Sequence, residues 1–131
     1  MTTVATAPQD IPARRKVLLV EDSPLVAMSL ETLFEDMEWE MEGPATRLDE
    51  ALALAEATDA DIALLDVNLD GEMSWAVADR LKVRGIPFVF ATGYDGGSVL
   101  PEAHGGAPFV SKPFQIAELE QLLRGMVGDE A

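Results

Sequence analysis

Cysteine is missing from all 131 residues of the chain. Disulfides, thiolate nucleophiles and cysteine-based zinc sites are therefore excluded, and the composition suits a reducing compartment. Positive charge is also scarce, with 9 Lys and Arg against 24 Asp and Glu and a formal net charge of -15. A surface of that sign repels nucleic-acid phosphates and anionic lipid. The basic residues cluster only at Arg14-Arg15-Lys16, so neither nucleic acid nor membrane is expected as a partner. No apolar run approaches the roughly 20 residues of a membrane span. Met1 to Pro12 lacks the basic start and apolar centre of a secretory signal, and the expected location is the cytoplasm. Histidine is limited to His104. A multi-histidine metal site is thus impossible, and a Ser-His-Asp triad would need this one residue, which stands beside glycines with no evident partner.

Hydrophobic residues make up 48% of the chain, enough for a core, and the length suits one domain. Residues 1–15, rich in Thr, Ala and Pro, read as a flexible tail, residues 16–127 as the domain, and residues 128–131 as a second tail. Lys16-Val-Leu-Leu-Val20 reads as a buried strand. A helix follows, with Ser23 as N-cap, Pro24 at its first position, and Val26, Leu30, Leu33, Phe34 and Met37 on one face. Trp39 to Glu42 alternates apolar and acidic residues and predicts a half-exposed strand stopped by Gly43-Pro44. Leu48, Ala51, Leu52 and Ala55 mark a second helix, and Ile62 to Leu65 a third apolar strand ending at Asp66.

Turn residues Asn68, Asp70 and Gly71 come next, then a helix over Met73 to Arg84 stopped by Gly85. Pro87 to Ala91 is a fourth strand. Gly93 to Pro108 is rich in glycine and leaves room only for a short or irregular helix between Ser98 and His104. Phe109-Val110 belongs to a fifth strand, and Leu119, Leu122, Leu123 and Met126 form the stripe of a last helix. Five β-α units in succession predict an α/β fold, a doubly wound parallel five-stranded sheet with helices on both faces.

In such sheets ligands bind at the carboxyl ends of the strands. Those ends carry Glu21-Asp22, Asp66, Thr92 and Ser111-Lys112-Pro113. Three carboxylates in one pocket repel one another. A hard divalent cation relieves that, and Mg²⁺ commonly joins one or two carboxylates to a phosphate. Phosphoryl transfer depends mainly on positioning and charge stabilisation, for which a Thr92 hydroxyl and a Lys112 ammonium are suited.

The pieces Val20-Glu21-Asp22, Leu65-Asp66-Val67-Asn68, Ala91-Thr92-Gly93 and Phe109-Val110-Ser111-Lys112-Pro113-Phe114, in this order, resemble the receiver domains of bacterial response regulators over about Lys16 to Met126. The resemblance implies a flavodoxin-like (βα)5 fold with strand order 2-1-3-4-5. It implies that Asp66 accepts a phosphoryl group from a phosphohistidine of a histidine kinase or a histidine phosphotransfer protein. Mg²⁺, with Mn²⁺ as a substitute, would be bound by the side chains of Asp22 and Asp66, by the backbone carbonyl of Asn68, and by Glu21 directly or through water. Thr92 and Phe109 would be a switch pair, with the ring following the hydroxyl inward, and Lys112 would pair with Asp66 or its phosphate. The Lys112-Pro113 bond would be cis, an isomer that costs only about 0.5–1 kcal/mol before proline.

Pro87-Phe-Val-Phe-Ala-Thr-Gly-Tyr94 further resembles the motif of FATGUY receivers, often stand-alone regulators in which the region after strand four is unusually mobile. The expectation is a phosphorelay switch that acts on a downstream protein, dephosphorylates itself slowly and turns over no external substrate.

Three other readings compete. The fold could serve as an interaction module that works without phosphate, against which stand the intact Asp66, Thr92 and Lys112. An aspartate-phosphate hydrolase would usually carry a second Asp where Asn68 stands. Asp66-Val-Asn-Leu-Asp-Gly71 imitates the start of an EF-hand loop, but the twelfth position is Val77 rather than Glu. Tyr94 and Trp75 read as packing or surface aromatics.

Overall fold

A computed structural model describes residues 14–93 and 106–128. The apolar runs read from the sequence form the sheet. They are β1 (Lys16–Val20), β2 (Glu40–Ala45), β3 (Ile62–Asp66), β6 (Phe88–Thr92) and β7 (Phe109–Ser111). A two-residue hairpin, β4 (Asn68–Leu69) with β5 (Glu72–Met73), projects between β3 and the next helix. Four helices lie among the described residues: α1 (Pro24–Asp36), α2 (Leu48–Ala57), α3 (Trp75–Val83) and α4 (Ile116–Val127). The main sheet has the order β2-β1-β3-β6-β7, with every pairing parallel. This is the expected order 2-1-3-4-5 once the hairpin is set aside. The short helix expected between Ser98 and His104 lies outside the described residues, as do Tyr94 and His104.

Side chains alternate across each strand, so one sheet serves two cores. Val17, Leu19, Ile62, Leu64, Val89, Ala91 and Val110 face α1 and α4, meeting Leu30, Phe34, Leu119 and Leu123. Leu18, Val20, Ala63, Leu65 and Phe90 face α2 and α3, meeting Ala51, Ala55, Val77 and Leu81. Each fully buried Leu or Phe in these layers contributes about 1.5–3 kcal/mol. The two layers hold the strand ends, and with them the polar residues that follow, in fixed relation.

Two sequence expectations change. The second strand does not stop at Gly43-Pro44 but runs through them to Ala45. Leu18 pairs with Glu42 and Val20 with Ala45, so two steps on β1 face three on β2, a local irregularity. Proline lacks the amide that a central strand needs but is tolerated on an edge strand or at a bulge, and β2 is an edge. Gly43 has φ 102, and a Cβ there would lie 2.5 Å from the Leu19 carbonyl oxygen, so glycine alone fits. Trp39 lies before the strand and is buried against Phe34, with ring centroids 6.5 Å apart.

The third helix starts at Trp75 rather than Met73, because Met73 is taken by the hairpin. It stops as expected before Gly85, which has φ 75. At the N-terminus Arg14 donates to the carbonyls of Glu38 and Trp39, and Arg15 to that of Val127. Both residues are therefore tied to the domain. Among the described residues no helix is long and apolar enough to cross a membrane.

Candidate functional site

The carboxyl ends of β1 and β3, and the segment after β7, converge on one acidic cluster. Glu21 follows β1 and is 1% exposed. Its amide donates to the Ala45 carbonyl at 2.9 Å, so the last residue of the extended β2 fixes its backbone. Its carboxylate accepts the Ser23 amide at 3.1 Å at the start of α1, and the Ser23 hydroxyl accepts the amide of Val26 as the helix cap. Asp22 is half-buried beside it. Asp66, at the end of β3, is 6% exposed. Carboxylate oxygens of Glu21, Asp22 and Asp66 lie within 4.8 Å of one another.

Lys112 enters this cluster from beyond β7. Its amide donates to the Thr92 carbonyl at 2.8 Å, which carries the ladder past the strand. Its ammonium lies 3.0 Å from Glu21 Oε1, 3.2 Å from Glu21 Oε2 and 3.1 Å from Asp66 Oδ2. The Lys112-Pro113 peptide that follows is cis, and so is Gly43-Pro44.

One ammonium does not balance three carboxylates, and the electrostatics record it. Burial and then the neighbouring Glu21 charge push the Asp66 carboxyl up to about 7, against the opposing pull of Lys112 and of the Asn68 amide. Burial also works against the Lys112 ammonium. The hydrogen bond to Glu21 and the charges of Asp66 and Glu21 outweigh it and hold the ammonium above its usual range. Three oxygen donors at this spacing, one of them with a displaced pKa, fit a hard divalent cation.

The other expected residues lie on the hairpin and on the strands β6 and β7. Asn68 donates its amide to Asp66 Oδ1 at 3.3 Å, and its side-chain oxygen accepts the Gly71 amide at 2.6 Å. The Asn68 side chain is thus used in the hairpin turn. Thr92 is buried at 3%, and it stands one residue beyond Ala91, the partner of Asp66 on β6. Phe109, on β7, pairs with Phe90 of β6 and is 40% exposed, two residues before the Thr92 partner Ser111. Val77, the EF-hand's missing glutamate position, is buried in α3, and Asp66 ends a strand rather than a helix.

Trp75 is half-buried and packs edge-on against Phe90, with centroids 5.4 Å apart. Sequence reasoning missed Ser74, whose fully buried hydroxyl donates to the Asp66 carbonyl at 2.7 Å. The available signal was a serine directly before an apolar helical stripe, obscured by starting that helix too early.

With this geometry in hand, the likenesses to known proteins are specific. The model of the response regulator receiver domain matches residues 17–124. The phyllosphere-induced regulator PhyR of Methylorubrum extorquens is 34% identical over 111 residues, covering 82% of this chain and 42% of PhyR. The chain spans about half the length of the curated relatives it matches. The solution structure of SdrG from Sphingomonas melonis Fr1 is 37% identical with a TM-score of 0.77, covering 89% of this chain and 99% of that one. The BeF3-activated conformation of SdrG, from Pseudomonas melonis Fr1, is 36% identical with a TM-score of 0.73, covering the same shares. The chain therefore belongs to the response regulator receiver domain family, the CheY-like signalling modules of two-component systems.

Proposed function

We propose that this receiver takes a phosphoryl group onto Asp66 from a phosphohistidine of a histidine kinase or a histidine phosphotransfer protein, and so switches its binding to a downstream protein. The observation that carries this reading is the Lys112 ammonium set between buried Glu21 and Asp66 at the carboxyl edge of the sheet. A carboxylate oxygen of Asp66 would bond to phosphorus as the donor P–N bond breaks, and the electron pair would leave with the imidazole. Mg²⁺, or Mn²⁺ in its place, would be held by the carboxylates of Glu21, Asp22 and Asp66 and by the Asn68 carbonyl. When bound it would supply the positive charge that lets an anionic phosphoryl group approach an anionic acceptor.

Within the chain, Lys112 would exchange part of its pairing with Asp66 for a phosphoryl oxygen, keeping Glu21 as its second partner. Thr92 would donate its hydroxyl to another. Phe109, outward and 40% exposed, would move inward behind it, and the exposed state would be the one that phosphorylation depletes. A shift from mostly off to mostly on needs about 5.5 kcal/mol of differential stabilisation, to which these two contacts would contribute part. Slow self-dephosphorylation follows from the lability of an acyl phosphate, with no external substrate turned over. The setting that fits an ATP-dependent kinase as donor is the cytoplasm.

The test is phosphotransfer. Incubation with a phosphorylated histidine kinase and Mg²⁺ should label the protein, and Asp66→Asn should abolish the label. Label retained in that variant would place the acceptor elsewhere. Beryllofluoride, which activates SdrG, should change the spectrum of the wild type only when Mg²⁺ is present. No response would favour an interaction module that works without phosphate.

A further inference from the structure

Ser74 is fully buried and holds the N-cap position of α3. A serine there ordinarily accepts an amide from the first helical turn, yet the Ser74 side chain makes no such bond. Its hydroxyl donates instead to the carbonyl of Asp66, at 2.7 Å. The other half of that same peptide unit, the Val67 amide, donates to the Ala91 carbonyl at 2.9 Å. The Asp66-Val67 peptide plane is thereby held from both sides, by Ser74 and by β6. The Ser74 amide adds a bond to the Val67 carbonyl at 3.0 Å. One residue thus closes the base of the β4–β5 excursion, and that excursion begins with Asp66 and Asn68.

Resting on the reading of Asp66 as phosphoacceptor, we propose that Ser74 is a positioning residue for that site. Its hydroxyl fixes the peptide plane after Asp66 and so sets the aim of the Asp66 carboxylate relative to the Asn68 carbonyl. The hydroxyl is diverted from helix capping to this task. It touches neither the metal nor the phosphoryl group, and acts only through the backbone that carries their ligands. Groups that orient metal ligands from behind typically change affinity by about 10–100-fold when removed.

The experiment is an Mg²⁺ titration followed by the amide resonances of Val67 and Asn68. Ser74→Ala should weaken Mg²⁺ binding about tenfold, and beryllofluoride binding with it. Ser74→Thr, which keeps the hydroxyl, should stay within about threefold of wild type. Val77→Ala, which trims a buried side chain one turn along the same helix, should lose thermal stability yet keep its Mg²⁺ affinity within about twofold. An unchanged affinity in Ser74→Ala, an equal loss in Val77→Ala, or a threonine variant as weak as the alanine one would overturn the proposal. Failure of the wild type itself to bind Mg²⁺ at these resonances would instead remove the phosphoacceptor reading beneath it.

Discussion

Lys112 and Asp66, 46 residues apart in the chain, meet at 3.1 Å, and the same ammonium reaches buried Glu21 at 3.0 Å. Removing the side chain leaves two buried carboxylates without a counter-charge. Lys112→Ala should therefore cost about 3 kcal/mol at pH 8. The loss should be smaller at pH 5, where Asp66 is protonated. Denaturant titration of both proteins at the two pH values measures it.

The pH dependence of the metal-free protein follows from Asp66. Its folded carboxyl titrates at about 7, against 3.8 ordinarily. The folded state thus holds the proton that the unfolded chain releases. This contribution to stability is fully present below about pH 4 and is lost as pH rises to about 7. In Asp66→Asn that decline should vanish, leaving the variant about 1–3 kcal/mol more stable than wild type at pH 8. Melting curves in EDTA from pH 4 to pH 8 decide it, and a variant with the wild-type slope would assign the titration to another group. Because a proton competes with the metal, apparent Mg²⁺ affinity should rise with pH up to about 7.

Thr92→Ala should separate receipt of phosphate from response to it. The variant should still be labelled on Asp66, because the acceptor and Lys112 remain. Beryllofluoride should no longer shift the ring resonances of Phe109 as it does in the wild type. Equal Phe109 shifts in both proteins would detach the threonine from the switch.

Gly43→Ala tests the edge strand. Its φ of 102 and the Leu19 carbonyl 2.5 Å from a Cβ give the methyl no room. A loss of about 2 kcal/mol or more is expected, read by denaturant unfolding. Since Ala45 holds the Glu21 amide, weaker Mg²⁺ binding should accompany it.

The fold was legible wherever one short-range signal sufficed. Apolar runs marked β1, β3 and β6, and the residues at or just after their ends named Glu21, Asp22, Asp66 and Thr92, because a buried strand must end where polarity begins. β2 was misjudged because glycine and proline normally end strands, whereas on an edge they let the strand bulge and continue. The hairpin at Asn68–Met73 escaped because its two-residue strands are too short for a period. The Ala45 hold on Glu21 leaves no pattern in the chain, and a serine before an apolar stripe signals a helix start rather than the Ser74 bond to Asp66. Each bond depends on where two distant or reversing backbones meet, which only the assembled sheet determines.

The edge strand β2 carries Glu40 and Glu42, and it includes Pro44, which offers no amide. Sheets are prone to grow sideways by recruiting a strand from another molecule. Like charge, a missing donor and a broken register together discourage that recruitment. Copies of this receiver should therefore not associate by adding a strand alongside β2.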